Sequence, residues 1–402
     1  MAYNRKQRLN DNIKAIETAF ILDREQRTPT ARERLLLERY CGFGGLKCIL
    51  NPARELADAG HWAKSDLELV APTVELHRLI RENSKNESEY KQLMDSLKRS
   101  VLTAFYTPSA VTEALTDVLK EHQIIPEKVL EPSAGIGAFV NSVLDNNPKA
   151  DIMAFEKDLL TGKILRHLHP EQKVRIEGFE KIEKPFNDYF DLAISNIPFG
   201  DVAVFDPSYT AMKGMRALVT RRIHNYFFVK ALDTVRDGGL VAYITSQGVL
   251  NAKNTSAARF MMLYHADLVA ESRLPNNLFT DNANTEVGSD LIILQKNSQK
   301  ESLRGDDNLL DTVYNDENRI PTNNYFLEHP ERIIHTTAKL DTDPFGKPAM
   351  IYTHEDGVEG IAEDLRKMLH EDFKKNLNLN RYFAIQKPKA EKNKEYEETE
   401  KI

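Results

Sequence analysis

The spacing of apolar residues changes twice along the chain. In the first hundred residues they recur about every 3.6 residues among many charges, which is typical of amphipathic helices. Short apolar runs then alternate with amphipathic stretches, as in a parallel sheet covered by helices, until the sequence becomes polar near Asn297. We therefore predict an N-terminal helical domain over residues 1–100, an α/β domain over 101–297 and a C-terminal extension over 298–402.

Seven apolar runs in the α/β part have the length and the flanking turn residues of strands. Seven strands with intervening helices predict a doubly wound, Rossmann-like α/β fold, in which ligands bind at the carboxyl ends of the strands. The predicted strands are Lys128 to Glu131, Asp151 to Glu156, Val174 to Glu177, Phe190 to Ser195, Leu240 to Thr245, Leu268 to Ser272 and Asp290 to Gln295.

The first predicted strand runs into a glycine-rich turn. Gly135 and Gly137 form a Gly-x-Gly pair that lets the backbone approach a ligand which a β-carbon would repel. Val140 stands where a dinucleotide fingerprint would need a small residue, which disfavours a nicotinamide cofactor. Glu156 ends the second strand, where a carboxylate can accept hydrogen bonds from ribose hydroxyls. The sequence therefore indicates a nucleoside-containing cofactor.

Two further segments are candidates for the same site. Phe179 could stack on an adenine ring, while Glu180 accepts a hydrogen bond from its amino group. Thr107 is a natural N-cap and Pro108 a natural first residue for a helix whose N-terminus would suit a carboxylate. The predicted cofactor-binding residues are Tyr106, Thr107, Pro108, Glu131, Pro132, Ser133, Ala134, Gly135, Gly137, Glu156, Lys157, Phe179, Glu180 and Asn196.

The fourth predicted strand ends in Asn196-Ile197-Pro198-Phe199. The Asn196 side-chain oxygen and the backbone carbonyl of Pro198 can accept hydrogen bonds from both N–H groups of a planar amino nitrogen. Such preorganised dipoles stabilise the positive charge that develops when that nitrogen attacks an electrophile. Pro198 fixes its own φ and holds Ile197 extended, and Phe199 offers a face for a substrate ring. We predict Asn196, Pro198 and Phe199 as catalytic residues.

Composition narrows the classes further. The net charge of -7 in 402 residues restricts any nucleic-acid contact to a local basic patch. Cys41 and Cys48 are too few for a zinc cluster, so we expect reduced thiols and no metal. No apolar run approaches the roughly 18 residues of a membrane helix, and the N-terminus is too polar for a secretion signal, so we expect a cytoplasmic protein without membrane contact. The Lys/Glu-rich tail from Lys387 to Lys401 is predicted to be disordered.

These motifs together resemble the N6-adenine DNA methyltransferases, and within them the helicase-associated, phage antirestriction-like methylases of bacterial mobile elements. The resemblance covers roughly residues 35 to 297, with the donor site before the catalytic site. It is carried by Tyr40 to Leu46, Phe105 to Pro108, Leu130 to Phe139, Ser195 to Gly200, Asp206 to Tyr209, His224 to Phe228, Gly238 to Ser246, Arg273 to Pro275 and Thr285 to Lys296.

The resemblance implies S-adenosylmethionine as cofactor and adenine in double-stranded DNA, flipped out of the helix, as substrate. It also implies a helicase or a restriction enzyme as partner. The commoner motif has Pro where this chain has Ile197, so we expect some lost stiffness without lost chemistry. The predicted substrate-binding residues are Ile197, Phe199, Lys213, Arg216, Arg221 and Arg222.

Two alternatives remain open from the sequence. The same acceptor pair serves enzymes that methylate a glutamine amide in proteins or an adenine in ribosomal RNA. A non-catalytic protein could instead use the methylase fold only to bind and shield DNA. A nicotinamide oxidoreductase is disfavoured by Val140 and by the Asn196 turn.

Overall fold

A seven-stranded sheet forms the centre of the molecule in a computed structural model that describes residues 4–103, 105–212, 214–280, 286–303, 307–314, 319–343 and 346–384. The strands are β1 (Lys128–Glu131), β2 (Asp151–Phe155), β3 (Lys173–Arg175), β4 (Phe190–Asn196), β5 (Val235–Ser246), β6 (Ala266–Leu274) and β7 (Ser289–Lys296). They lie in the order β3-β2-β1-β4-β5-β7-β6. The first five pair in parallel, and β7 runs antiparallel to both β5 and β6.

The predicted doubly wound α/β class is confirmed, and each predicted strand has its counterpart. β5 begins at Val235, earlier than predicted, because it continues through turn-like residues that include Gly238 at φ +75°. The register between β4 and β5 shifts in this region: Phe190 of β4 pairs with Val235, whereas Leu192 pairs with Leu240. β3 lies earlier than the predicted Val174 to Glu177, because its pairing with β2 ends at Arg175.

Helices cover both faces of the sheet. The α-helices are α1 (Arg5–Glu25), α2 (Ala31–Leu37), α3 (Val70–Glu82), α4 (Glu87–Thr103), α5 (Ser109–Glu121), α6 (Ala138–Asn146), α7 (Leu159–Leu168), α8 (Pro207–Thr210), α9 (Met215–Val219), α10 (Ile223–Thr234), α11 (Gly248–Asn251), α12 (Ser256–His265), α13 (Asn324–Glu328), α14 (Gly357–Asn376) and α15 (Leu379–Tyr382). Short 3-10 helices span Lys47–Leu50, Leu56–His61, Lys64–Leu69, Phe179–Lys181, Lys184–Phe186, Lys253–Thr255, Asn276–Phe279, Asp307–Leu309 and Pro330–Arg332.

The strands are buried on both faces because successive side chains alternate between two cores. Val129 of β1 faces the core formed with α5, α6 and α14, whereas Leu130 faces the core formed with α10 and α12. The helix α14 belongs to the polar C-terminal extension, yet Leu365 and Leu369 are fully buried in the first core. The C-terminal extension therefore supplies part of the sheet's covering.

The N-terminal helices form a third core together with α7. Leu160 and Ile164 of α7 pack among the buried residues of α1 to α4. The Tyr40 hydroxyl lies 3.2 Å from the Thr161 hydroxyl, so the glycine-rich segment after α2 contacts α7 directly. The bounds of the three predicted domains stay a prediction.

The C-terminal part adds two small antiparallel sheets. One joins β8 (Thr312–Tyr314) to β9 (Pro321–Asn323), and the other joins β10 (Thr337–Thr342) to β11 (Pro348–Thr353). None of the helices in the described part of the chain is long and apolar enough to cross a membrane. The prediction for the tail from Lys387 to Lys401 lies outside the described residues.

Candidate active site

The carboxyl ends of β1, β2 and β4 meet at one edge of the sheet. Glu131 at the end of β1 is in register with Ala154 of β2, and Asn196 at the end of β4 is in register with Ile244 of β5. Since β1 lies between β2 and β4, the glycine turn after β1 has Glu156 on one side and Asn196 on the other. This edge is where open α/β sheets bind ligands.

Two features of the glycine turn require glycine: the backbone angles, and the neighbouring side chains that leave no room for a β-carbon. Gly135 has φ +55° and Gly137 has φ +87°, which L-residues with side chains rarely adopt. A β-carbon at Gly135 would lie 2.8 Å from Cε1 of Tyr106, and one at Gly137 would lie 2.8 Å from Nε2 of His169. The turn is therefore held between Tyr106 and His169.

Glu156 connects the turn to the start of α7. Its Oε2 accepts a hydrogen bond from the Gly135 N–H at 2.8 Å, and its Oε1 accepts one from the Asp158 N–H at 2.7 Å. The Asp158 side chain in turn caps α7 by accepting from the Thr161 N–H at 2.8 Å. The position of the Glu156 carboxyl group is thus fixed by backbone donors.

Two carboxyl groups at this edge have raised pKa values. Burial, together with the nearby Asp158 carboxylate, raises the pKa of Glu156 to about 7. Burial likewise raises the pKa of Glu131 to about 8, and this side chain is 1% exposed. A ligand that donates hydrogen bonds to such a group would favour its ionised form. Strongly shifted pKa values in one place are typical of functional sites.

The side chain of Asn196 is held by the backbone of Phe105, a residue to which the sequence analysis gave no role in the site. Its Nδ2 donates to the backbone carbonyl of Phe105 at 2.8 Å. A carbonyl oxygen can only accept, so this contact fixes the orientation of the amide and leaves Oδ1 as its acceptor end. The Ile197 N–H donates to the Ile244 carbonyl at 3.0 Å, so strand pairing supports the backbone immediately after Asn196.

Phe199 is backed by two more aromatic rings. Its ring lies 6.4 Å from that of Phe279 at an angle of 75°, and Phe279 lies 6.5 Å from Phe105. Phe279 is fully buried in the 3-10 helix Asn276–Phe279, just after the Arg273 to Pro275 segment. Edge-to-face pairs of this kind fix the position of a ring while leaving one face for other contacts.

The sequence model of the N-6 DNA Methylase family matches residues 89–389, well over half of the chain. The chain belongs to the N-6 DNA methylase family. The resemblance predicted from the order of the motifs is therefore confirmed. The defense against restriction protein B of Escherichia phage P1 is 28% identical over 201 residues, which cover 48% of this chain and 8% of that protein. The type II methyltransferase M.XamI of Xanthomonas campestris pv. amaranthicola is 24% identical over 173 residues, covering 40% of this chain and 33% of that enzyme.

The methylase thus spans well under two thirds of these curated relatives. Among solved structures it is similar to the ATP-dependent type ISP restriction-modification enzyme LlaBIII bound to DNA, with a TM-score of 0.42 and 13% identity. That likeness covers 93% of this chain and 28% of the LlaBIII chain.

Two predicted contacts of the methylase need correction. The side chain of Ile197 is 1% exposed and packs in the core, so it is not placed to contact a substrate. The ring of Phe179 is also 1% exposed, and it packs against Phe155 and Phe227 at centroid distances of 5.9 and 5.3 Å. Ile197 directly follows β4 and Phe179 begins the 3-10 helix after β3, and sequence alone does not tell which side chains of such segments turn inward.

The predicted helix start is also displaced by one residue. Pro108 is the N-cap of α5 and Ser109 its first residue, because Pro108 has a non-helical ψ of 142°. The hydroxyl of Thr107 is buried without a hydrogen-bond partner among the described residues. Thr107 therefore does not cap the helix.

Other predicted cofactor residues lie at the expected edge. The Ala134 N–H donates to the Phe155 carbonyl at 2.8 Å, which ties the segment Pro132 to Ala134 to β2. Lys157 forms a 3.0 Å ion pair with Glu180, joining the ends of β2 and β3. These positions remain predictions for cofactor binding.

The basic residues predicted to bind the substrate differ in whether they form ion pairs within the protein. Arg216 forms a 2.7 Å ion pair with Asp233 and covers the Tyr209 ring, so it stabilises the loop after β4. Arg222 pairs with the exposed Asp201 at 3.2 Å, and Arg221 is exposed. Lys213 lies outside the described residues.

Several buried polar groups of the methylase lack partners among the described residues near this edge. They include both ring nitrogens of His224, Oδ1 of Asn225 and the hydroxyl of Thr245 at the end of β5. Burial lowers the pKa of His224 to about 4, so its ring is neutral at physiological pH. Unpaired buried polar groups are costly, and each of them is a place where water or a polar ligand can supply the missing hydrogen bond. In the described part of the chain, no group of three or more His, Cys, Asp or Glu side chains is arranged to hold a metal.

Proposed function

We propose that this N-6 DNA methylase transfers a methyl group from S-adenosylmethionine to the N6 amino group of adenine in DNA. The observation that carries the proposal is the hydrogen bond between Asn196 and the Phe105 carbonyl. It fixes an amide acceptor at the sheet edge that also carries the glycine turn, so the acceptor and the proposed cofactor site are neighbours.

The residues at the turn fit this cofactor. At Gly135 and Gly137 the positive φ angles, together with the Tyr106 and His169 rings packed against them, fix the course of the backbone beside the proposed cofactor site. Glu156 presents a carboxyl group to the same side, where ribose hydroxyls would donate to it. Glu131, Pro132, Ser133, Lys157 and Glu180 would complete the wall of the site. When bound, S-adenosylmethionine supplies a methyl group made electrophilic by its sulfonium.

The catalytic residues would act on the substrate's amino group. The lone pair of an adenine amino nitrogen is delocalised into the ring, which makes this nitrogen a weak nucleophile. Asn196 Oδ1 would accept one N–H and the Pro198 carbonyl the other, drawing the nitrogen toward tetrahedral geometry. Phe199, held by Phe279, would stack on the base and keep its nitrogen in line.

The proposed substrate is an adenine flipped out of double-stranded DNA, because a base within the helix cannot reach a residue at a sheet edge. Arg221 is the exposed cation best placed by sequence to contact a phosphate. A helicase or a restriction enzyme is the proposed partner, since the P1 relative is named for defense against restriction. Such a role would place the methylase in the cytoplasm.

The test is to incubate the methylase with isotopically labelled methyl donor and, in parallel, with duplex DNA, ribosomal RNA and cell protein. We expect label in DNA, on adenine N6 after digestion to nucleosides. Label in a glutamine amide or in ribosomal RNA would contradict the DNA substrate while keeping the acceptor chemistry. Binding of DNA without label in any substrate would contradict the catalytic proposal and favour a protein that only shields DNA.

A further inference from the structure

The loop after β4 carries the most exposed large apolar side chain among the described residues. Phe205 is 78% exposed, and Val202 on the same loop is 60% exposed. Phe205 follows Phe199 by six residues, which at full extension span at most about 20 Å. Val202 and Phe205 therefore place two apolar side chains in water on the loop that follows the catalytic segment.

The backbone on both sides of Phe205 is fixed. The Val204 N–H donates to the Thr220 carbonyl at 2.8 Å on one side. On the other side the buried Asp206 carboxylate accepts from the Ser208 N–H at 2.8 Å and from the Tyr226 hydroxyl at 2.7 Å. Phe205 is therefore held outward by its neighbours and cannot reach the core without breaking these bonds.

The charge of Asp206 strengthens this anchor. Its carboxylate also pairs with Lys230 of α10 at 3.2 Å, and both side chains are buried. The hydrogen bonds from Ser208 and Tyr226 and the charge of Lys230 outweigh the burial of the carboxyl group and lower its pKa. Loss of the carboxylate would leave a buried cation unpaired, so the loop is strongly tied to α10.

We propose that Phe205 is a wedge that inserts into the base stack of duplex DNA where the target adenine leaves it. The inference rests on the proposed function. Extruding a base breaks its stacking contacts, and an aromatic ring can replace them because every base has a face on which a ring can stack. Arg221 is exposed and directly follows Thr220, whose carbonyl holds Val204. Its cation would contact a phosphate of the DNA beside the inserted ring.

This role predicts a difference between duplex and single-stranded substrates. A single strand has no partner strand from which the base must be extracted, so the wedge has little to replace there. Phe205→Ala should lower kcat/KM for methylation of duplex DNA by about tenfold or more, and by less than about twofold for the same sequence as a single strand. Phe205→Trp should keep most of the duplex activity, since the indole can also stack.

Phe383 provides a matched control. It is 56% exposed and lies next to Tyr382, which packs on Arg236 near the start of β5, at the opposite edge of the sheet. Phe383→Ala removes an exposed phenyl ring, as Phe205→Ala does, but at a position away from the catalytic loop. This variant should match the wild type on both substrates.

The measurements are kcat/KM for both DNA forms and the emission of a duplex with 2-aminopurine in place of the adenines of one strand. We expect the emission to rise with the wild type, because 2-aminopurine brightens when it is unstacked, and to rise much less with Phe205→Ala. Equal losses on duplex and single strand, or unchanged duplex activity, would overturn the wedge and leave this ring as a surface for a protein partner.

Failure of the proposed function is distinguishable from failure of the wedge. If no DNA takes label from the wild type, the proposed function fails, but the 2-aminopurine emission still reports insertion at equilibrium. A rise with the wild type that Phe205→Ala lacks would then support insertion, and equal emission from both proteins would overturn it.

Discussion

Replacing Glu156 by Gln tests whether this carboxyl group contacts the methyl donor. Burial, with the Asp158 carboxylate nearby, raises the pKa of Glu156 from the ordinary 4.5 to about 7. That rise means that, before any ligand binds, ionising this carboxyl group costs about 3 kcal/mol more than in water. Ribose hydroxyls donating to the carboxylate would favour the charged form and bring the pKa back down, so binding would release a proton.

The sign of the pH dependence follows from this shift. Below pH 7 the free protein holds the proton that the complex must lose, so donor affinity should fall as pH falls. We expect binding about tenfold weaker at pH 6 than at pH 8 for the wild type. Glu156→Gln should bind more weakly at pH 8, by about 1 to 3 kcal/mol, and show little change between the two pH values.

Isothermal titration of S-adenosylmethionine at pH 6, 7 and 8, in buffers of different ionisation enthalpy, measures both affinity and proton release. Other titrating groups near this site are Glu131, whose burial raises its pKa to about 8, and Asp158, whose burial also raises its pKa. Glu131→Gln therefore measures how much of the pH dependence comes from this second carboxyl group. A Glu156→Gln protein with the wild-type affinity and pH profile would refute the assignment of Glu156 to the donor.

Three other changes follow from the same structure. Gly135→Ala would place a β-carbon 2.8 Å from the Tyr106 ring at φ +55°, so donor affinity in titration should fall at least about tenfold; wild-type affinity would contradict the tight turn. Arg216→Ala should lower the thermal midpoint because Asp233 loses its ion pair, and an unchanged midpoint with weaker DNA binding would contradict its structural role. Arg221→Ala should weaken DNA binding and reduce the salt slope of log Kd by about 1, and a slope equal to that of the wild type would remove it from the phosphate contact.

The strands and the glycine turn could be predicted because their signals are local. Short apolar runs flanked by turn residues predict strands whatever lies elsewhere in the chain, and Gly135 and Gly137 stand at the end of one such run. The order of the motifs also identified the family. These features depend on neighbouring residues only, so no knowledge of distant contacts was needed.

Contacts between distant segments could not be predicted. Phe105 and Asn196 are far apart in sequence, and the contact uses a backbone carbonyl, which carries no mark in the side-chain pattern. Phe279 likewise packs against Phe199 only in the folded chain. Burial of Phe179 and Ile197 depends on how the segments after β3 and β4 turn toward α10, and the local sequence does not specify that direction.

The helix α14 had a signal that the polar surroundings concealed. Ile361, Leu365, Leu369 and Phe373 recur every four residues, which predicts one apolar helix face. The charged residues between them made the C-terminal extension look uniformly polar. Periodicity was a better guide there than average composition.

The methyl-transfer rate of Asn196→Ala, measured with saturating donor and duplex DNA, tests the central claim most directly. We expect kcat to fall about a hundredfold or more while donor affinity stays nearly unchanged, because the amide acts on the reacting nitrogen. Asn83→Ala is the matched control, since its Nδ2 also donates to a backbone carbonyl, that of Leu79 at 2.9 Å, in the remote helix α3. An Asn196→Ala methylase that retains most of the wild-type rate would contradict the account.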